Sequence, residues 1–364
     1  MPHLRLLGKL QTYGINGCIF NWVSNYLINR TQVVAVNGAE SNVGSVLSGV
    51  PQGTVLGPLL FVIYINDMLD SISSEGLLFA DDTKVFHQIC SKQDSLKLQS
   101  DIDKLEAWTK IWLLRFNADK CHVLTMGKFE NILHTHRYKI GGKELEHVFE
   151  EKDLGVLVDS DLSFEEHITA KVKKANQITG LIRRSFTYLD GKSFVKLYTA
   201  LVRPHLEYAQ SVWSPQSKKL TDLIENVQIR ATKLVDHIGN LDYSERLQLL
   251  NLPTLAFRRL RGDLIEMYKH FAKYDREIVS ESFQPKERLN RRHRLQVHER
   301  KAKDGIRGVQ TNSFYYRIAK HWNNLPAEVV EAPSVDVFKN RLDKELKDHH
   351  LKFNHNEGPI ESDS

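Results

Sequence analysis

Residues 48–86, SGVPQGTVLGPLLFVIYINDMLDSISSEGLLFADDTKVF, restrict the fold more than any other stretch of the chain. A turn punctuated by Gly49, Pro51 and Gly53 runs into an apolar segment with the period and length of a helix. Two short apolar runs follow, Leu77-Leu78-Phe79 and Val85-Phe86, with Ala80-Asp81-Asp82-Thr83 between them. Apolar runs flanking a tight polar turn predict a β-hairpin. Adjacent carboxylates held on such a turn suit hard divalent cations such as Mg2+. A pair of these cations can clamp the attacking and leaving oxygens of a phosphoryl transfer. Asp-Asp also makes a good turn without any ligand, because Asp hydrogen-bonds its own backbone there.

The partner segment decides between these readings. Gly49-Val50-Pro51-Gln52-Gly53-Thr54-Val55-Leu56-Gly57-Pro58-Leu59-Leu60-Phe61 and Phe79-Ala80-Asp81-Asp82 together resemble, in order and spacing, two signature motifs of reverse transcriptases. The form is similar to that of non-LTR (LINE, jockey-like) retrotransposons. The resemblance implies that Asp81 and Asp82 are Mg2+-binding carboxylates, and that Pro51, Gln52 and Gly53 line the template and nucleotide pocket. Thr54 stands where relatives commonly carry Ser, which keeps the hydroxyl. Phe116-Asn117-Ala118-Asp119-Lys120-Cys121-His122 looks like the motif after the catalytic hairpin. Lys120 is thereby assigned as proton donor to departing pyrophosphate, a task open to a positioned lysine; a plain surface lysine at a strand start is the equal alternative. Leu154 and Gly155, within 152–158, resemble the primer-grip hairpin, where a core strand would also fit.

The implied fold is α+β: a partial polymerase palm, an antiparallel sheet with packed helices, over 1–160, then a helical thumb-like region over 161–280. A basic linker (281–310), a C-terminal helical unit (311–350) and a disordered tail (351–364) follow. Helical spacing of three and four is expected near 163–186, 190–202, 217–238 and 254–274. Lys171, Lys173, Lys174, Arg183 and Arg184 give the first of these a basic face that can track a nucleic-acid backbone or simply be solvated. Residues 284–303 carry eight Lys/Arg against two Glu, again open to both readings. The stretch from Leu197 to Ala209 and the block around Phe314, Trp322 and Pro326 also resemble parts of these elements.

Upstream, Leu6 and Leu10, then Ile19, Trp22, Val23, Tyr26 and Leu27, are expected as core stripes on two helices. Residues 31–38 read as a strand ending at Asn37-Gly38, with 43–47 as its partner and Glu40 in the turn. Members of the resembled family carry a further aspartate on a strand followed by Ala-Phe-Asp, the third metal carboxylate. Pro2 to Leu10 resembles the sequel of that motif, and no Asp or Glu occurs in residues 1–39. The expectation is a chain that is a poor polymerase or none by itself, with an unpaired edge beside the Asp81-Asp82 hairpin. A non-catalytic nucleic-acid-binding remnant, or a fragment without a function of its own, are the alternatives. The implied partners are RNA template, DNA primer and deoxynucleoside triphosphates.

Composition narrows the setting. Of the residues 41% are hydrophobic and 26% charged, with a net charge of +5, as in a soluble globular protein. Cys18, Cys90 and Cys121 are scattered with no CxxC pair, which argues against a disulfide framework and fits a reducing, intracellular setting, cytoplasmic or nuclear. The apolar run from Leu59 to Ile65 is too short to span a bilayer, so no membrane partner is expected.

Overall fold

The computed structural model describes residues 1–126, 136–215, 217–272, 293–299 and 313–355. It divides into two units at Val148/Phe149. The hairpin at 150–159 therefore packs with the second, mainly helical unit rather than with the first. No described helix is long and apolar enough to cross a membrane.

The first unit opens with α1 (His3–Thr12) and α2 (Gly17–Leu27). Four two-residue strands follow, β1 (Thr31–Gln32), β2 (Ala35–Val36), β3 (Ala39–Glu40) and β4 (Gly44–Ser45). Then come α3 (Leu56–Ile65), β5 (Glu75–Phe79), β6 (Asp82–Phe86), α4 (Lys92–Trp112), β7 (His122–Leu124), β8 (Lys139–Ile140), β9 (Lys143–Glu144) and β10 (Glu146–Val148). Leu6, Leu10, Val23, Leu27, Leu60, Tyr64, Leu105 and Trp108 form one core. Ile19 and Trp22 are exposed instead, because α2 turns only the Val23–Leu27 edge inward. The 31–46 hairpin forms with Asn37 and Gly38 both at positive φ, the geometry of a two-residue hairpin turn. It breaks into two short ladders at Val33-Val34, and Glu40 sits in β3 opposite Ala35 rather than in the turn.

Lys9 is the unexpected member of this core. It is 3% exposed, and its ammonium donates to the Tyr64 carbonyl and to Asp67 Oδ1 at 2.6 Å. It also lies 3.8 Å from the centroid of the Trp112 ring and 4.8 Å from that of Trp108. Burial lowers its pKa, and the bond to Asp67 partly restores it. Trp108 Nε1 donates to the same Asp67 oxygen at 3.1 Å, so α1, the end of α3 and α4 meet at one carboxylate.

The second unit begins with β11 (Glu150–Asp153) and β12 (Val156–Asp159), then α5 (Glu165–Ser185) and α6 (Gly191–Leu197). A π turn over Tyr198–Val202 leads into α7 (Arg203–Glu207), followed by α8 (Gln210–Trp213), α9 (Lys218–Thr232), α10 (Tyr243–Leu250) and α11 (Leu255–Ala272). After α11 come α12 (Phe314–Asn323), α13 (Ala327–Val330) and α14 (Val335–Glu345). Ile168, Val172, Tyr198, Trp213, Ile224 and Val227 centre one core; Leu264, Met267, Ile318, Trp322 and Phe338 centre another. Glu225, fully buried on α9, accepts from the Leu255 and Ala256 amides and from the Tyr243 hydroxyl, capping α11 from a neighbouring helix. The helical unit expected over 311–350 contains three helices among the described residues, since Pro326 and Ser334 each start a new one. The expected tail is ordered at its start: Phe353 packs on the first of these cores and His355 lies 3.0 Å from Asp222. The expected basic linker falls outside the described residues except for 293–299.

Candidate functional site

The turn before α3 is built by Thr54. Its hydroxyl donates to the Pro51 carbonyl at 2.8 Å and accepts from the Gly57 amide at 3.2 Å, which satisfies an otherwise orphan helix donor. The Tyr26 hydroxyl donates to the same oxygen at 3.0 Å, tying α2 to the turn. Gln52 and Gly53 are exposed at the crest, and Pro51 is half-buried. Gly53 takes φ +77°, and a Cβ there would meet nothing within 4 Å. Its requirement is conformational, whereas close approach belongs to Gly57, where a Cβ would lie 3.1 Å from the Pro51 carbonyl oxygen. Beneath the turn, His3 Nε2 contacts the Gly49 carbonyl at 2.8 Å and Pro2 bridges to Ser48.

The Asp81-Asp82 hairpin is tighter than the sequence suggests. β5 and β6 pair with Phe79 directly opposite Asp82, so the turn is only Ala80-Asp81, and Ala80 takes φ +50°. Asp82 is thus the first strand residue rather than part of the loop. Alternation puts Leu78 and Val85 against the core, while Leu77, Phe79, Asp82 and Phe86 share the exposed face. Among the described residues β5 and β6 form a two-stranded sheet with no third strand.

Two anchors hold that hairpin. A Cβ at Gly76 would lie 2.9 Å from the Leu69 side chain, so the helix-to-strand connection packs directly on the strand backbone. Asp101 of α4, fully buried, accepts from Ser73 N (3.1 Å), Ser73 Oγ (2.9 Å), Ser74 N (2.8 Å) and Ser74 Oγ (2.7 Å). Burial opposes ionisation of this carboxyl, but the bonds from Lys104 and the two serines prevail and hold it well below the usual carboxylate range.

Lys120 ends a 3-10 turn (Ala118–Lys120) just before β7 and is exposed. The turn is set by Asn117, whose side chain accepts from the Asp119 amide at 3.1 Å, and by the Lys143–Asp119 ion pair. None of the contacts among the described residues joins Lys120 to Asp81 or Asp82. Nor do the described residues contain a cluster of three or more His, Cys, Asp or Glu suited to a metal ion. Two exposed carboxylates on one turn are of the hard oxygen type that suits Mg2+.

In the second unit, Leu154 and Gly155 form the two-residue turn between β11 and β12, at φ +44° and +87°. The Tyr208 hydroxyl donates to the Leu154 carbonyl at 2.8 Å, and a Cβ on Gly155 would lie 3.3 Å from the Tyr208 ring. Tyr208 is fixed in turn by Trp213, whose indole N–H donates to the Tyr208 carbonyl at 2.7 Å. The Trp213 ring centroid lies 5.5 Å from that of His167, and His167 Nδ1 accepts from the Leu157 amide of β12 at 3.1 Å. The circuit closes on the hairpin it started from. Burial, then the charge of Lys171, pulls the His167 pKa from 6.5 to about 4. Tyr208 and His167 are supports that sequence reasoning missed. The only trace of His167 is its inward place on α5, beside Ile168, which itself lies one turn before Val172.

Comparison with known proteins bears on these features together. The family model for reverse transcriptase (RNA-dependent DNA polymerase) matches residues 1–189. The RNA-directed DNA polymerase from mobile element jockey of Drosophila funebris is 30% identical over 234 residues, 60% of this chain and 25% of that protein. Its Drosophila melanogaster counterpart is 28% identical over 231 residues, covering 58% and 24%. The probable RNA-directed DNA polymerase from transposon BS of the same fly is 28% identical over 229 residues, covering 58% and 25%. The chain thus spans about a quarter of the length of these relatives. A match running through the turn–helix, the Asp-Asp hairpin and the Leu-Gly hairpin shows that this chain belongs to the reverse transcriptase family, on its jockey-like, non-LTR retrotransposon side.

Proposed function

We propose that the chain is the palm and thumb portion of a polymerase that copies RNA into DNA, engaging an RNA template, a DNA primer and deoxynucleotides. The observation that carries this reading is the Asp81-Asp82 turn, held by Asp101 and Gly76 in the same packed unit as the Pro51-Gln52-Gly53 crest. In this reading Asp81 and Asp82 contribute carboxylates toward Mg2+, which when bound offsets the charge of the triphosphate. Gln52 and Gly53 present backbone and amide to the template and nucleotide, Lys120 holds a proton for the leaving pyrophosphate, and the Leu154-Gly155 tip positions the primer end. The three cysteines are free thiols, in keeping with a reducing intracellular setting.

The donor set leads to a second element of the proposal. With two carboxylates at the turn and no group of three or more metal-suited ligands among the described residues, the reading is that the chain by itself binds template–primer but extends it poorly or not at all. The test is primer extension on an RNA template with Mg2+, beside an Asp81→Ala/Asp82→Ala double variant, with binding of an RNA–DNA hybrid measured in parallel. Hybrid binding that weakens with salt, without extension by either protein, is the expected result. Extension lost in the double variant would show a complete site and refute the proposed inactivity. Absence of both extension and hybrid binding in folded protein would overturn the polymerase reading itself.

A further inference from the structure

We infer that the second unit carries a binding platform for single-stranded nucleic acid at the C-terminal end of α5, formed by Phe186 and Tyr188 with Arg183, Arg184, Lys192, Lys233 and His237. The site goes beyond the proposed polymerase reading, which concerns a template–primer duplex. Phe186 is 44% exposed and Tyr188 61% exposed, although both follow directly on a helix whose other face is core. The loop between α5 and α6 is not loose. Leu189, 4% exposed, packs into the core; its amide donates to Asp236 Oδ2 at 2.5 Å and its carbonyl accepts from the Asp236 amide at 3.1 Å. The segment after α9 is thus tied to the loop. It brings His237, at φ +69°, to a ring-centroid distance of 6.3 Å from Tyr188.

The exposed charges around these rings are cationic. Arg183, Arg184, Lys192 and Lys233 are exposed, and among the described residues none of the four is held in an ion pair. The nearby carboxylates are half-buried and engaged by backbone: Asp190 accepts from the Lys192 and Ser193 amides at 2.9 and 3.1 Å, and Asp236 from the Leu189 amide. Exposed rings held on a fixed loop beside unpaired cations match what a single strand offers, an unstacked base face next to a phosphate. A duplex offers the phosphates but keeps its base faces covered, so it would use the cations and leave the rings idle.

The two contributions separate experimentally. The full chain is titrated with a labelled single-stranded oligouridylate and with a blunt RNA–DNA hybrid of equal length, across a range of salt. A Phe186→Leu/Tyr188→Leu variant removes the rings and keeps apolar bulk; an Arg183→Gln/Arg184→Gln variant removes charge alone, and circular dichroism confirms the fold of each. Stacking predicts at least about a fivefold loss of single-strand affinity per ring, with hybrid binding and the salt slope unchanged. The arginine variant lowers the log–log salt slope on the single strand by about 1.4, two phosphate contacts at about 0.7 each. A ring variant that binds the single strand as tightly as the parent, or loses both probes equally, overturns the platform. Failure of the wild-type chain to bind the hybrid would count against the template–primer reading alone, so the two failures are distinguishable.

Discussion

Asp101→Ala should loosen the hairpin that carries Asp81 and Asp82 without touching either residue. The carboxylate accepts four bonds from Ser73 and Ser74 at 2.7 to 3.1 Å, and Lys104 adds a fifth at 2.8 Å. On truncation the serine hydroxyls can rotate to other partners, but the Ser73 and Ser74 amides cannot. Bonds to a charged group contribute about 1.5–3 kcal/mol each, so leaving two amides unpaired costs about 3–6 kcal/mol. That is a large share of the roughly 5–15 kcal/mol that stabilises a typical domain. Hydrogen exchange at neutral pH is the sharpest assay, because the loss is local: amides of residues 73–86 should exchange at least about 100-fold faster in the variant, while those of α5 and α9 stay protected. Asp101→Asn retains one acceptor oxygen and should fall between. The pH dependence follows from the sign of the shift. A carboxyl depressed in the fold contributes stability that is present above its unfolded value of 3.8 and is lost as pH falls below it. The wild-type hairpin should therefore approach the variant's behaviour in acid. Equal protection of residues 73–86 in wild type and Asp101→Ala at neutral pH would refute the reasoning.

Two further outcomes follow from the second unit. His167, neutral with a pKa near 4 in the fold against 6.5 unfolded, contributes stability above pH 6.5 that is lost as pH falls toward 4, in total about 3 kcal/mol. Urea midpoints between pH 4 and 7 should therefore flatten in His167→Gln, and an unchanged slope would rule this out. Gly155→Ala combines φ +87° with a 3.3 Å approach to the Tyr208 ring and should cost about 1–2 kcal/mol, more than Gly53→Ala, where strain acts alone. A thermal midpoint equal for the two alanine variants would show that Tyr208 does not crowd the tip.

The elements of the fold were legible wherever apolar residues recur at helical spacing, and α5, α9 and α11 lie close to where that pattern puts them. What escaped was charge inside the stripes. On α4 the inward face reads Asp101, Leu105, Trp108 and Trp112, with Leu98 half-buried at its start; a stripe drawn through apolar residues alone runs through Ile102 and passes over the aspartate. Lys9 lies one turn from Leu6 and next to Leu10 in the same way, and Glu225 lies between Ile224 and Val227. A charged residue at a stripe position must be paired if it is buried, so each of these three was a readable signal of a tie to another element. Its partner was not readable, because Ser73, Asp67 and the Leu255 amide are far away in the chain. Tyr208 lies in the 197–209 stretch that resemblance singles out, but nothing in the sequence indicated its role: exposed and between two short helices, it acts only once β11 and β12 are in place.

The Ala80-Asp81 and Leu154-Gly155 hairpins, one in each unit, share a feature that pattern reading could not supply. Each has a two-residue turn whose first residue is not glycine yet adopts the left-handed conformation, Ala80 at φ +50° and Leu154 at +44°. Such a conformation costs about 1 kcal/mol or more and persists only where the surroundings over-determine it. The surroundings do so by different means: Asp101 and Leu69 clamp the entry to the first hairpin, and the Tyr208 hydroxyl grips the strained residue of the second. A glycine at either position would relieve the strain and widen the range of turn geometries. Ala80 and Leu154 narrow that range, which fixes the angle at which each turn presents its side chains and backbone. The supports, rather than the exposed residues they hold, are therefore where substitutions should disturb the geometry of these turns without changing the chemistry they display.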